Sequence, residues 1–378
     1  ILARALAIPA VLRVHGAVSL LSAGAYVIVD GSEGVVIDEP DDAVIQEYNT
    51  KRINFLKERK ELENFRGKAT KALSGEEYEL FCNIGKPEDA IKAVDADGEG
   101  VGLFRTEFLF MDRTALPTED EQFDAYKKAA LTLKGKPVII RTLDIGGDKE
   151  IPYLGLKKEE NPFLGFRAIR YCLKHKDLFK TQLRAIVRAS AFGDVRIMFP
   201  LITAVEELRE GKALVEEVKA ELREQGVEFN ENIPVGIMTE TSAAVMIADI
   251  LAKESDFFSI GTNDLTGYTM ACDRGNDDVA YLYSPLQPSV LRGIKYIIDC
   301  ANKNNISVGM CGEAAANPMM VPLLMSFGLT EFSVSAPSVL KVRKTISAWS
   351  KAEADKVAEK VLAMTTEKEI SDYLKTLL

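Results

Sequence analysis

Several short apolar runs in this chain end in an arginine or are followed by one. The arginines are Arg105, Arg141, Arg167 and Arg274. A guanidinium group matches the two oxygens of a phosphate or carboxylate, so arginines at such positions predict a binding site for an oxyanion. One arginine at the end of a strand is equally well explained by a surface ion pair. It is the recurrence of the pattern that favours an anion site.

Other runs end in carboxylates, an amide or a thiol. Glu240 and Asp264 offer the hard oxygen ligands with which Mg²⁺ is shared between a protein and a substrate phosphate, although the two could also form a structural pair with neighbouring cations. Asn263 directly precedes Asp264, and Cys311, taken alone, is explained better by an inert buried thiol than by a catalytic one. Together these groups are typical of phosphoryl transfer, where catalysis rests mainly on positioning and charge neutralisation. Further polar residues at the ends of runs are Asn83, Glu107, Asp144 and Glu313.

A single repeating pattern from residue 77 onward would position these groups. A short apolar run is followed by a helical stretch, which indicates parallel β-α units. Eight such units predict an α/β fold, a closed (β/α)8 TIM barrel, whose reactive residues gather where the carboxyl ends of the strands meet. The predicted strands span 78–85, 100–107, 137–144, 195–201, 235–240, 257–264, 306–313 and 331–335.

The first 75 residues follow a different pattern. Residues 1–40 are predicted to be the remnant of a small domain, with a hairpin formed by 26–30 and 35–38 across a glycine turn. Residues 41–75 are charged and helix-forming, which indicates a linker helix before a barrel domain at 76–378. Capping boxes predict helix starts at Thr118, Ser350 and Thr366, the last two beyond the eighth strand. The glycine-rich segment 144–148 could cradle a phosphate or form a plain turn.

Composition narrows the possible classes of function. The net charge is −10 over 378 residues, which argues against broad nucleic-acid binding and against an anionic membrane surface. No window is apolar for long enough to form a transmembrane helix. The five cysteines are scattered and odd in number, so we expect reduced thiols in a cytoplasmic protein.

Five motifs, in order along the chain, carry a family resemblance. They are GLFRTEFLFMDR (102–113), RTLDIGGDKE (141–150), ENPFLGFR (160–167), SIGTNDLT (259–266) and GMCGE (309–313). In these motifs, and over nearly its whole length, the chain resembles Enzyme I of the bacterial phosphotransferase system, the phosphoenolpyruvate (PEP)-protein phosphotransferases. Pyruvate phosphate dikinase and PEP synthase share the barrel, but the stretches around Arg105 and Asp144 favour Enzyme I.

The resemblance implies a role for each candidate residue. Cys311 would be the acid that protonates the enolate as pyruvate forms, and a thiol with a pKa near neutrality suits that task. Mg²⁺ is the implied cofactor, with Glu240 and Asp264 as its ligands. PEP would be held by Arg105, Arg141 and Arg274, by Asn263 and Asp264, and by Arg167 as a further phosphate contact.

The resemblance also implies partners outside the barrel. The phosphoryl group would pass to a histidine on a separate swivelling domain and then to the carrier HPr, and the barrel would carry a homodimer contact. The family's histidine motif would lie before residue 1, so we expect the chain to bind PEP without a phospho-accepting histidine of its own. His15 and His175 are predicted to be ordinary surface residues. Residues 1–40 would then be the end of the phosphohistidine domain.

Two departures and two alternatives stay open. Glu240 is followed by Thr-Ser-Ala where the family usually has a proline, and the stretch around His15 differs from the expected glycine-rich run. The chain could instead be the C-terminal PEP/pyruvate domain of a dikinase or synthase. It could also be a PEP-binding dimerisation module without turnover.

Overall fold

The computed structural model describes residues 8–12, 14, 16–111, 113–146 and 151–378. The chain divides into two compact units, residues 1–67 and residues 68–378. Of the sequence features discussed above, residues 1–7, His15, Asp112 and residues 147–150, which include the end of the glycine-rich segment, lie outside the described residues.

The N-terminal unit contains the predicted hairpin. Strands β1 (Val27–Asp30) and β2 (Val35–Asp38) pair antiparallel, with Val27 opposite Asp38. The Asp30 carboxylate closes the turn by accepting hydrogen bonds from the amides of Ser32 and Glu33, at 2.9 and 3.0 Å. A short helix, Ala17–Leu20, precedes the hairpin.

A long charged helix, Asp42–Leu62, follows in the same unit. Asp41 begins it by accepting a hydrogen bond from the amide of Val44 at 2.9 Å. None of the helix residues is buried. A helix therefore forms in the predicted region with a solvated surface, but it ends at Leu62, well before residue 75.

The second unit is a closed barrel of eight parallel strands, as predicted. Its circle is completed where the last strand pairs with the first, with Phe332 opposite Leu80 and also opposite Met310. The strands are β3 (Glu79–Ile84), β4 (Gly100–Arg105), β5 (Val138–Arg141), β6 (Val195–Phe199), β7 (Val235–Thr239), β8 (Phe257–Ile260), β9 (Ser307–Met310) and β10 (Glu331–Val334).

All eight predicted strands extend past the observed strand ends, by one to four residues. The run 257–264 is a strand only to Ile260, because the amide of Leu265 turns back to the carbonyl of Gly261 and a helix begins. Asn263 and Asp264 therefore lie in the first turn of that helix. Glu107 likewise lies in a 3₁₀ turn, Thr106–Leu109, after β4.

Helices surround the strands. The three capping boxes at Thr118, Ser350 and Thr366 are present, and two helices follow the one after β10. The helices of this unit are Asp89–Asp95, Glu119–Leu133, Ala168–Lys174, Lys176–Ala189, Val205–Glu224, Ser242–Met246, Ala248–Leu251, Thr262–Met270, Pro288–Lys303, Val321–Phe327, Val339–Ser347, Lys351–Ala363 and Glu367–Lys375. Among the described residues, no helix combines the length and apolar character needed to cross a bilayer.

The apolar core has two parts. The larger part lies between strands and helices and includes edge-to-face ring pairs such as Phe104 with Tyr126, whose centroids are 5.7 Å apart. The smaller part is a separate cluster of inward-facing side chains, which makes the interior of the barrel a packed core. That cluster consists of Leu103, Ile139, Met198, Met238, Phe257 and Cys311.

Candidate active site

Arg141 is the last residue of β5 and is held in a buried ion-pair network. Its guanidinium lies 2.8 Å from the Glu107 carboxylate and 3.0 Å from the Asp144 carboxylate, and its side chain is only 8% exposed. Burial alone would lower its pKa, but the two carboxylates outweigh burial and raise it. Arg141 is thus a permanently charged, fixed cation at the end of its strand.

Arg105 differs from Arg141 although the two are register partners on neighbouring strands. Within the part of the chain that the structure describes, the side chain of Arg105 makes no hydrogen bond or ion pair, and the residue is partly buried. Burial lowers the pKa of Arg105, and the positive charge of Arg141 lowers it further. A desolvated cation beside a second cation is the arrangement that a bound anion would stabilise.

Arg167 directly precedes the helix Ala168–Lys174 and links two parts of the site. It lies 2.8 Å from the Asp144 carboxylate and 3.3 Å from that of Asp264, and it donates to the Tyr268 hydroxyl at 3.3 Å. Burial would lower its pKa, but the two carboxylates raise it. Its buried Nε atom has no hydrogen-bond partner among the described residues, so one donor remains for a ligand.

Glu240 follows β7 and is buried against the next strand end. Its carboxylate accepts a hydrogen bond from the amide of Leu201 at 2.7 Å. A side chain at Gly261 would come within 2.8 Å of the Glu240 carboxylate, so the glycine leaves room for it. Burial, followed by the nearby charges of Asp264 and Asp144, raises the pKa of Glu240 to about 8.

A divalent cation fits this pair of carboxylates. Mg²⁺ commonly uses only one or two protein carboxylates, with substrate phosphate and water completing its shell. A cation would stabilise the ionised form of Glu240, which burial and the charges of Asp264 and Asp144 disfavour. The described residues contain no group of three or more His, Cys, Asp or Glu side chains able to hold a metal ion alone. Two carboxylates such as Glu240 and Asp264 suit a metal that is shared with a substrate.

Cys311 comes directly after β9 and is 4% exposed. Burial raises the pKa of its thiol to about 11. The expected near-neutral pKa was therefore wrong, because the thiol lies against the apolar cluster inside the barrel rather than in an open polar site. The thiol stays protonated across the neutral range, which suits an acid better than a nucleophile.

The loop and helix after β8 bring in the remaining candidates. The side-chain oxygen of Asn263 accepts a hydrogen bond from the amide of Glu313 at 3.3 Å. Arg274 lies on an exposed loop, 41% exposed, with its guanidinium 4.0 Å from the Asp264 carboxylate. The structure thus brings every predicted residue near one mouth, with Arg274 as the most accessible.

Two tyrosines that join this network were missed in the sequence. Tyr268 donates to the carbonyl of Phe163 and accepts from Arg167. Tyr283 donates to the carbonyl of Asn263 at 2.8 Å. The spacing of Asp264 and Tyr268, four residues apart on one helix face, was the signal that could have revealed the first.

His175 is confirmed as a surface residue. It is exposed between two helices, and its ring lies 4.2 Å from that of Tyr171. It contacts none of the charged groups at the mouth of the barrel.

Comparison with known families agrees with this site. A family model described as "PEP-utilising enzyme, PEP-binding domain" matches residues 59–350. A second, "PEP-utilising enzyme, mobile domain", matches residues 1–34. The chain therefore belongs to the PEP-utilising enzymes.

Individual proteins with similar sequences share a more specific name than the family models do. The phosphoenolpyruvate-protein phosphotransferase of Priestia megaterium is 47% identical over 100% of this chain, and the protein of the same name from Bacillus subtilis is 49% identical over 99%. The chain spans 66% of the length of each. Among solved structures, a citrate lyase from Burkholderia xenovorans is 15% identical, with a TM-score of 0.46 over 75% of this chain and 81% of that one. That likeness is too weak to bear on function.

Proposed function

We propose that this chain is the PEP-binding part of a phosphoenolpyruvate-protein phosphotransferase that serves sugar uptake. The observation that carries the proposal is Arg105, a partly buried cation without an ion-pair partner among the described residues, beside the fixed cation Arg141. PEP offers a phosphate and a carboxylate, and two adjacent guanidinium groups match such oxyanions. Relatives with this name align over almost the entire chain, which favours this function over a dikinase or synthase.

Binding would fix both ends of PEP. Arg105, Arg141 and Arg274 would hold its phosphate and carboxylate, with Arg167 as a further phosphate contact through its remaining donor. Arg141 and Arg167 are already oriented by Asp144, so little ordering is needed when the substrate arrives. Asn263 would contact the substrate from the first turn of its helix.

Glu240 and Asp264 would hold Mg²⁺. The bound ion supplies charge neutralisation for the phosphate and for the enolate that remains when the P–O bond breaks. The arginines carry part of the same charge. Cys311 would then deliver its thiol proton to the enolate carbon, which yields pyruvate.

The proposal extends to the longer protein. The phosphoryl group would pass to a histidine of a mobile domain and then to HPr, in a cytoplasmic homodimer that uses neither nucleic acid nor membrane. We propose residues 1–40 as the end of that phosphohistidine domain, 41–75 as its linker helix and 76–378 as the PEP-binding barrel. The match of residues 1–34 to a mobile domain supports the first of these assignments.

The test supplies PEP labelled at phosphorus, Mg²⁺ and a phosphohistidine domain in trans. We expect label on the added domain, pyruvate as product, and no stable histidine-linked label on this chain alone. Cys311→Ser should slow pyruvate formation by about 100-fold or more, the usual contribution of a general acid, while PEP affinity changes little. Unchanged pyruvate formation in that variant, or labelled histidine on the chain alone, would contradict the proposal.

A further inference from the structure

The backbone of Cys311 is fixed from two opposite sides. Its amide donates to the carbonyl of Ile260 on β8 at 3.1 Å, and its carbonyl accepts a hydrogen bond from the side-chain amide of Asn83 at 3.0 Å. Asn83 lies on β3, which is separated from β9 by β10. Its side chain therefore reaches across a whole strand, inside the barrel, to contact Cys311.

The pairing of β9 and β10 shows why this contact is needed. Their register includes two residue pairs, Glu331 with Gly309 and Phe332 with Met310. Beyond the second pair, the amide group of Asn83 bridges the carbonyl of Cys311 and that of Ser333, the latter at 3.2 Å. At Cys311, the Asn83 side chain thus takes the place of the backbone hydrogen bonds that would otherwise join β9 and β10.

Asn83 is itself oriented by a neighbour. Its side-chain oxygen accepts a hydrogen bond from the Ser333 hydroxyl at 2.7 Å, which fixes which end of the amide faces the two carbonyls. Room for Ser333 inside the barrel comes from Gly102, where a β-carbon would lie 2.4 Å from the Ser333 hydroxyl oxygen. Gly102 is also the residue that the register between β3 and β4 skips.

The segment after Cys311 is held on the other side. A β-carbon at Gly312 would come within 1.7 Å of the Thr262 hydroxyl oxygen, and the amide of Glu313 donates to Asn263. With one side docked on the helix Thr262–Met270, the contact from Asn83 completes a clamp around Cys311. A thiol that must reach one carbon atom needs such control, since an error of about 1 Å costs on the order of 100-fold in rate.

We infer that Asn83, oriented by Ser333, is a positioning residue that aims the Cys311 thiol at the carbon it protonates. This inference rests on the proposed acid role of Cys311. It assigns to Asn83 an effect on proton transfer and little effect on PEP binding. Ser333 acts one step further away and should have a smaller effect.

The test follows proton exchange between D₂O and the methyl group of pyruvate by NMR, with this chain and Mg²⁺. The reaction is the reverse of the proton delivery, in which the Cys311 thiolate takes a proton from the methyl group, so it is followed at alkaline pH, and it needs no phosphoryl acceptor. Asn83→Leu keeps the side-chain size but removes every hydrogen bond. We expect exchange to fall about tenfold to 100-fold, with PEP affinity by calorimetry within about twofold. The exchange rate of Ser333→Ala should lie between that of Asn83→Leu and that of the unsubstituted chain.

Matched controls separate positioning from folding. Asn304→Leu removes an amide that also donates to a backbone carbonyl, that of Cys300 at 2.8 Å, and should leave both measurements unchanged. Cys311→Ala gives the baseline exchange rate in the absence of the thiol. If Asn83→Leu does not fold, Asn83→Ala, which leaves space for a water molecule, is judged by the same two measurements.

The outcomes distinguish the inference from the proposed function. Exchange in the Asn83 variant within about twofold of the unsubstituted chain would overturn the positioning role, as would equal losses of exchange and PEP affinity. Absence of exchange in the unsubstituted chain would overturn the acid role of Cys311 and this inference with it. Failure of the unsubstituted chain to bind PEP would instead contradict the proposed function.

Discussion

The two ends of the barrel each bury a glutamate whose pKa is raised to about 8. At the mouth this is Glu240, and at the opposite end it is Glu331, the first residue of β10. Burial is the largest cause in both cases. The surroundings differ, because charged groups from several strand ends converge on Glu240, whereas Glu331 has Glu79 and Arg196 as its charged neighbours.

The arginines show what this difference means. Arg196 lies 2.7 Å from Asp194 in a partly exposed pair, so its charge is already matched at the surface. Arg105 at the mouth is partly buried and has no such pair among the described residues. A raised carboxyl pKa is therefore common to both ends of the barrel. The mouth differs from the opposite end by a partly buried cation that has no ion pair among the described residues.

Among substitutions that test the difference between the two ends of the barrel, we expect the largest effect at Arg141. Arg141→Ala leaves the buried carboxylates of Glu107 and Asp144 without their shared cation. Breaking a buried ion pair in this way costs about 3–5 kcal/mol. We expect the free energy of unfolding, measured by urea denaturation, to fall by that amount, with PEP binding lost.

Arg196→Ala is the matched change at the opposite end. Its pair with Asp194 is partly exposed, with side chains 24% and 35% accessible, so the expected loss is about 0–1 kcal/mol. Equal losses in the two variants would contradict the distinction between the two ends.

The next effect concerns the pH dependence caused by Glu331. Its pKa is about 8 in the folded chain against an ordinary value of 4.5, so the folded state binds the extra proton between these pH values. The contribution of Glu331 to the free energy of unfolding is therefore lost as pH rises from about 4.5 to 8. Glu331→Gln removes the titration. The variant should gain stability over the unsubstituted chain as pH rises, by a few kcal/mol at most, at about 1.4 kcal/mol per pKa unit.

Denaturation of both proteins at pH 5, 7 and 8.5 measures this difference. A constant difference between the two proteins across this range would show that Glu331 does not titrate as described. PEP binding should be unaffected, because Glu331 lies at the end of the barrel away from the arginines.

The sequence predicted the barrel well because its signal is local and repeated. Each apolar run and its following helix can be recognised on their own, and the ends of strands in a parallel barrel must meet at one mouth. That rule alone placed Arg105, Arg141 and Glu240 together. Boundaries were less accurate where a strand leads directly into a helix, as at Asn263 and Asp264.

The remaining features depend on contacts between distant residues. The Asn83 bond to Cys311 joins positions 228 residues apart, and the hydroxyl of Tyr283 faces back to a carbonyl. The raised pKa of Cys311 comes from the apolar cluster that five other strands help to build. No spacing in the sequence encodes these contacts, because each depends on the closed barrel.

Titration of PEP with Mg²⁺ into the unsubstituted chain and into Arg105→Ala tests the central claim most directly. Arg209→Ala is the control, since that arginine pairs with Glu254 on the outer surface at 2.6 Å. Loss of charge-assisted hydrogen bonds should weaken PEP binding about tenfold to 100-fold in Arg105→Ala, without lower thermal stability, because the arginine has no ion pair to lose. PEP affinity in Arg105→Ala equal to that of Arg209→Ala would contradict the assignment of this mouth as the PEP site.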